Sequence, residues 1–319
     1  MPLDDAAMTL TPAIRLSRVV VVANTASGSV GPKAPETARG ILSSFGLDAE
    51  IFAPDDKNDI GDCLDKAFAT APDLVIVLAG DGTARAAAER AGPKGPLIAP
   101  LPGGTMNMLP HAVYGVVSWE QALHDALERG VAKPIGGGAI DGKLFFVAAI
   151  LGAPALWAQV REAARAGQFR TMIRRGALAL ERAFSGRLRY QLNGGVRRKA
   201  EALGLFCPLI STALPDNEQA LEAAAFDPSG AVEAFRIGLH ALSGDWRRDP
   251  AVSVGLCTEG GAWASGRIPA ILDGEPTRLG RYARIEYRPD ACRVLAPAPV
   301  PEAAVAPPKA RRAKRTTPA

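Results

Sequence analysis

Arg18-Val19-Val20-Val21-Val22-Ala23 is an unbroken β-branched run, the pattern of a strand buried on both faces. Asp73 to Leu78 and Leu97 to Leu101 repeat that pattern, and Ala49 to Phe52 adds a shorter strand. Between them, apolar residues recur at helical spacing over Pro35 to Phe45, Ile60 to Ala71 and Ala84 to Ala91, and helices are expected from about Met106 and over Trp119 to Glu128. Alternating strand and helix predicts an α/β fold whose N-terminal domain is a parallel sheet with crossover helices. In such sheets ligands bind beyond the carboxyl ends of the strands.

After Gly136-Gly137-Gly138, which reads as a turn, the pattern changes. Leu144 to Ile150 reads as a strand, Arg161 to Phe184 as an arginine-rich helical stretch. Short strands separated by turns follow: 188–192, 202–207, 231–237, 251–257, 262–264, 270–272, 283–287 and 292–295. This predicts a C-terminal antiparallel, β-sandwich-like domain. The expected organisation is a flexible lead-in over 1–17, an α/β domain over 18–133, a β-rich domain over 134–297, and a disordered basic tail over 298–319.

Composition narrows the function classes. The 319 residues carry a net charge of +4, mild and without the concentrated basic stripe of a nucleic-acid binder, and much of the excess sits in Lys309 to Arg315 at the C-terminus. The cysteines, Cys63, Cys207, Cys257 and Cys292, form no CxxC pair, which argues against a zinc site or a disulfide framework. The longest apolar run, Leu144 to Ala158, is broken by Gly152 and Pro154 and is too short to span a bilayer as a helix. With no basic-then-apolar leader, a cytoplasmic location is expected, with any membrane contact peripheral at the inner face. The arginines from Arg161 to Arg187 and the Lys309-to-Arg315 cluster are the basic segments suited to such contact, although a solvated face on a packed helix is the favoured reading of the first. His111, His124 and His240 have no ligand spacing.

Three small-residue loops follow the buried strands. Asn24-Thr25-Ala26-Ser27-Gly28 follows the first, and lets backbone N–H groups approach a phosphate. Ala79-Gly80-Asp81-Gly82-Thr83 follows the third, its glycines flanking one carboxylate suited to Mg²⁺ or a substrate hydroxyl. Leu101-Pro102-Gly103-Gly104-Thr105-Met106-Asn107 follows the fourth. There Thr105 is a candidate cap for the next helix and Asn107 a candidate ligand to nucleotide or phosphate. No GxxxxGK[ST] loop and no GxGxxG fingerprint occurs.

In this order the three loops, NxxSG, GDGT and LPxGTxN, resemble the diacylglycerol kinase catalytic domain shared by diacylglycerol and sphingosine kinases. Asp141-Gly142-Lys143-Leu144-Phe145-Phe146 and Asp273-Gly274-Glu275 resemble later segments of the same family. The resemblance implies an ATP- and Mg²⁺-dependent lipid kinase with its active site between two domains, transferring the γ-phosphate to a lipid hydroxyl, diacylglycerol being the first expectation. It implies nucleotide-binding roles for Asn24, Ser27, Gly28, Gly80, Gly82, Thr83, Gly104, Thr105 and Asn107. Asp81 would serve Mg-ATP or the acceptor hydroxyl. Glu275 would be the general base, with Asp273 supporting it. The lipid substrate would be met at a membrane surface, and the resemblance allows a homodimer. The chain departs from the pattern at Ala79, Arg85, Ala86 and Met108. Ser229-Gly230 stands where the family carries a metal-associated Asp-Gly, leaving Asp227 as the nearest substitute. A catalytically weak binding protein and an NAD kinase are the competing readings.

Overall fold

The computed structural model describes residue 14 and residues 16–54, 59–152, 188–215, 218–228 and 246–298. The arginine-rich stretch 161–187, the expected strand 231–237, Ser229-Gly230 and the basic tail lie outside the described residues.

Strands β1 (Val19–Ala23), β2 (Ala49–Phe52), β3 (Leu74–Ala79) and β4 (Leu97–Pro102) form a parallel array in the order β2-β1-β3-β4. Every residue of β1, β3 and β4 is buried, as their unbroken apolar runs require. Val20, Val22, Val75 and Val77 face α2 (Ile60–Ala69) and α3 (Asp81–Ala91). On the other face, Val21, Ile76 and Leu78 meet α1 (Ala34–Ser44) and α5 (Trp119–Arg129). Side caps start two of these helices: Asp59 accepts from the Asp62 N–H, and Ser118 from the Gln121 N–H. The short α4 (Met108–Tyr114) begins after Asn107, two residues later than expected from the sequence.

Beyond α5, β5 (Gly130–Ile140) is a single long strand, so the expected boundary at residue 133 falls inside it. Its triple glycine forms no turn. A Cβ at Gly138 would lie 2.0 Å from the Phe145 ring and one at Gly136 2.5 Å from the Tyr287 hydroxyl. The glycines let these aromatic side chains lie against the strand. Next come β6 (Lys143–Phe145), β7 (Ala148–Gly152), β8 (Leu188–Leu192), β9 (Arg198–Ala200), β10 (Ala202–Phe206) and β11 (Leu221–Phe226). The last are β12 (Val252–Cys257), β13 (Glu259–Trp263), β14 (Pro269–Leu272), β15 (Glu275–Arg278) and β16 (Tyr282–Pro297).

An antiparallel sheet in the order β12-β11-β10-β7-β14-β15 packs on β13, β8 and the start of β16 around a core that includes Leu151, Leu203, Leu205, Leu221 and Ile285. Strand β16 covers both strands expected at 283–287 and 292–295. It pairs with β13 at one end, runs along β5 through an irregularity between Arg288 and Cys292, and ends parallel to β4 at Val294. One sheet therefore continues from the parallel array into the antiparallel half. The phenol of Tyr114 ties α4 to this strand by donating to the Leu295 carbonyl at 2.7 Å.

In the second sheet, Glu222 is 1% exposed and ion-pairs with Arg247 at 2.5 Å, while Ser211 donates to its other oxygen. Trp246 sits between Phe206 and Phe226. The four cysteines are separate, buried thiols. Among the described residues no helix is long and apolar enough to cross a membrane.

Candidate active site

Because β1, β3 and β4 are parallel and in register, with Ala23 opposite Leu78 and Ala79 opposite Pro102, their three following loops emerge at one edge. The loops then meet backbone to backbone. A Cβ at Gly28 would lie 2.9 Å from the Gly104 carbonyl, and one at Gly104 would lie 2.7 Å from the Gly80 Cα. Only glycine permits this approach. Hydrogen bonds lock the junction. The Asn24 N–H donates to the Leu78 carbonyl, the Asn24 side chain accepts from the Ala26 N–H, and the Ser29 hydroxyl donates to the Pro102 carbonyl.

Asn107 adopts a left-handed conformation and closes its own loop. Its Oδ1 accepts from the Gly104 N–H at 2.7 Å and its Nδ2 donates to the Gly104 carbonyl at 3.1 Å. The structure corrects the expected cap: Asn107, not Thr105, precedes α4, and Thr105 is exposed in the loop. The reason is steric and local, since the Gly104–Asn107 ring delays the helix by one half-turn. Ser27 and Thr83 are half-buried beside Gly80. The would-be Cβ of Gly80 is 3.5 Å from the Ser27 Oγ, and the Thr83 N–H donates to the Gly80 carbonyl.

Asp81 opens α3, where a negative charge favours the helix dipole. Its carboxylate is turned inward toward the backbone N–H groups of Met108, Asn107 and Leu109 and toward His111. Burial raises its pKa above the ordinary carboxylate value, and those N–H groups and His111 oppose the rise. Its Oδ1 is buried without a hydrogen-bond partner. An orphaned buried carboxylate oxygen costs free energy unless a cation or hydroxyl completes it.

Glu275 reaches this point from the other half of the chain. Its Oε1 lies 3.5 Å from where a Gly82 Cβ would be, against the first turn of α3. The two-residue turn Asp273-Gly274, with positive φ at both positions, joins β14 to β15 and puts Glu275 opposite Leu272. Asp273 clamps that turn. Its Oδ2 accepts from the Phe146 N–H at 2.7 Å, and its Oδ1 from the Val147 and Ala148 N–H groups at 2.9 and 3.0 Å. Burial pushes its pKa up to about 6, against the pull of these three N–H groups and Arg85. Arg85, one turn along α3 from Asp81, donates to the Leu272 carbonyl at 3.2 Å and so ties α3 to the same hairpin. Met108 flanks the hairpin turn, its sulfur 3.4 Å from a would-be Gly274 Cβ.

Asp81, Gly82, Gly104 and Glu275 are thus brought together. Asp227 lies elsewhere, after β11, its N–H donating to the Ala251 carbonyl. Among the described residues, the acidic group close enough to share an ion is His124, Asp125 and Glu128 on α5, and includes neither Asp81 nor Asp227. The roles of Arg85 and His111 carried no sequence signal: an arginine on a helix and a lone histidine look like surface residues until the fold places them.

Residues 18–138 match the family model described as diacylglycerol kinase catalytic domain. No curated protein matches the chain. Among solved structures, a diacylglycerol kinase from Bacillus anthracis str. Sterne is 16% identical, covering 89% of this chain and 98% of its own, with a TM-score of 0.65. A putative diacylglycerol kinase from the same organism is 17% identical with a TM-score of 0.63, covering 92% of this chain and 100% of its own. An NAD kinase from Archaeoglobus fulgidus in complex with ATP is 11% identical, covering 88% and 94%, with a TM-score of 0.51. These likenesses establish the fold.

Proposed function

We propose, from the match of residues 18–138 to the diacylglycerol kinase catalytic-domain model, that this protein uses ATP to phosphorylate a lipid hydroxyl, diacylglycerol first among the candidates. The observation that carries the reading is the placement of two carboxylates from opposite halves of the chain at the first turn of α3, Asp81 turned inward with an orphaned oxygen and Glu275 against Gly82, beside a floor of bare glycine backbone.

The glycine floor fits a polyphosphate, which needs close backbone approach rather than side-chain bulk. The orphaned Oδ1 of Asp81 fits a magnesium ion or an acceptor hydroxyl, because carboxylate oxygen is the ligand such ions prefer. Magnesium there would neutralise phosphate charge. The chain's own contribution is placement: Gly28, Gly80 and Gly104 hold the loops in contact, and the Asp273 clamp and Arg85 fix Glu275 relative to α3. Glu275 would orient the acceptor hydroxyl and take its proton as the hydroxyl oxygen attacks the γ-phosphorus of ATP, the bond to the bridging oxygen breaking and ADP leaving. Phosphoryl transfer depends mainly on such positioning and on charge stabilisation.

The test is transfer of label from ATP to a panel of diacylglycerol, monoacylglycerol, phosphatidylglycerol, sphingoid base and NAD, with Mg²⁺. Label in one lipid class, lost in Asp81→Asn and Glu275→Gln, is the expected result. Label in NAD alone would replace the lipid reading with the NAD kinase one. ATP binding without transfer to any acceptor would mean a binding protein.

A further inference from the structure

The antiparallel half carries a solvent-facing surface that the site does not use. Strand register sets it out. Lys199 of β9 pairs with Arg189 of β8, Arg189 with Trp263 of β13, and Trp263 with Tyr282 of β16. These four residues form one straight row across four strands. Their sequence neighbours Ala200, Tyr190, Ala262 and Ala283 point into the buried core, so the row points outward by the two-residue alternation of strands. One step along, Arg284 pairs with Gly261 on the same outer face.

The aromatic pair lies over Gly261 of this sheet. The Trp263 and Tyr282 rings are 5.3 Å apart at 40°. A Cβ at Gly261 would meet the Tyr282 ring at 2.8 Å and the Trp263 ring at 3.1 Å, so the glycine is what lets both rings rest on the backbone. Tyr282 remains 47% exposed. The Arg197 guanidinium stands 5.1 Å from the Trp263 ring centroid. Glu259 and Glu286 lie at the far end of this face, where Arg284 and Arg288 flank Glu286. The other charged side chains of the row and beside it, Lys199, Arg189 and Arg197, are cationic.

We infer that this face, built on Arg189, Arg197, Lys199, Trp263, Tyr282 and Arg284, docks the protein on an anionic lipid surface. Tryptophan and tyrosine favour the membrane–water interface because one end of each ring system is apolar and the other polar. Basic side chains beside them meet the phosphates of anionic lipids, which supplies the charge complementarity. A sheet face with aromatics and cations also suits single-stranded nucleic acid. Here, however, Arg197 and Tyr282 already flank the Trp263 ring, where a stacking base would need a free face. The Glu275 hairpin belongs to the sheet behind this face, within a chain reach of at most about 25 Å from Tyr282. The inference rests on the lipid acceptor proposed above, but its test does not.

The test is cosedimentation of the full chain with phosphatidylcholine vesicles and with vesicles of equimolar phosphatidylcholine and phosphatidylglycerol. Two variants run alongside, Arg189→Glu/Lys199→Glu and Tyr282→Ala, each checked for an unchanged thermal melt. The wild type is expected to bind the anionic vesicles selectively. The double charge reversal should weaken that binding about tenfold or more, and the Tyr282 variant should weaken it severalfold. Phosphorylation of a short-chain acceptor dispersed as monomer should stay at the wild-type level in both. Equal vesicle binding by wild type and folded variants, or no binding by the wild type, would overturn the inference while leaving the kinase reading intact. Retention of a single-stranded oligonucleotide instead of vesicles, lost in the variants, would overturn it in favour of nucleic acid. Loss of phosphorylation by wild type on every acceptor, with vesicle binding retained, would count against the kinase reading alone.

Discussion

Replacing Asp273 by asparagine isolates the clamp that holds Glu275 in place. The change is nearly isosteric, yet it swaps one acceptor oxygen for a donor. Asparagine Oδ1 still satisfies two of the three N–H groups at Phe146, Val147 and Ala148, and leaves the third facing an amide nitrogen. A buried donor left without an acceptor costs about 1–3 kcal/mol. The size of the effect should depend on pH. The pKa of Asp273 in the fold, about 6, lies above its ordinary value of 3.8. The folded state therefore binds this proton more tightly than the unfolded chain does. The wild type is at its best below the unfolded value, and stability drains away as pH rises through the folded value, by up to roughly 3 kcal/mol. The protonated carboxyl still has lone pairs for all three N–H groups, so near pH 3, below the unfolded value of 3.8, the comparison with asparagine reads the lost hydrogen bond alone. By about pH 7.5 the wild type also carries the burial cost of its charge, which asparagine lacks, and the gap should narrow. Urea denaturation of both proteins across this range measures it. A gap that is absent near pH 3 refutes the clamp. A gap that widens toward neutrality refutes the claim that burial outweighs the three N–H groups. A second readout is activity: phosphoryl transfer by Asp273→Asn should fall in kcat more than in the KM for ATP, because the hairpin carrying Glu275 is loosened while the glycine loops are untouched.

Gly104→Ala forces a methyl group to within 2.7 Å of the Gly80 Cα. It should cost about 1–3 kcal/mol as overpacking and weaken ATP binding, measured by calorimetry. Gly82→Ala, whose first neighbour is the Glu275 Oε1 at 3.5 Å, should fold normally and alter transfer rather than ATP affinity. Arg247→Ala leaves Glu222 buried without its ion pair and should destabilise by about 3–5 kcal/mol in chemical denaturation. Pairing it with Glu222→Leu should recover much of that loss. Tyr114→Phe removes a buried hydrogen bond to the Leu295 carbonyl, and a fall of about 1 kcal/mol is expected by the same measurement.

The parallel half was legible because its strands are buried on both faces. Runs such as Val19–Ala23 and Leu74–Ala79 can hardly be anything else, and the loops that follow them had to gather at one edge once the strands were parallel. The placement of Glu275 against the turn that Asp81 opens is less local. Separation of 194 positions in the chain is bridged only by the fold, and the family resemblance, not spacing, pointed to Glu275. Strand β5 misled because its glycines read as a turn, when they are there to seat Phe145 and Tyr287. Strand β11, Leu-Glu-Ala-Ala-Ala-Phe, was missed because alanine and glutamate favour helices. It is a strand because neighbours on both sides pair with it, and Glu222 survives there only through Arg247 and Ser211.

The path of β16 bears on how the chain acquires its shape. The core on one face of the parallel array includes Leu295, and β4 pairs at its end with Val294. A nascent chain emerging from the ribosome can pair β1 to β4 early, yet β4 keeps a bare apolar edge until nearly the whole polypeptide has been made. Such long-range closure slows folding and leaves that edge open to wrong partners in the meantime. A fragment ending at residue 133 should therefore be aggregation-prone rather than an independent unit. The step that seals the edge also draws β16 along β5 from one half to the other, so assembly of the glycine loops and delivery of the Glu275 hairpin should finish in one cooperative event.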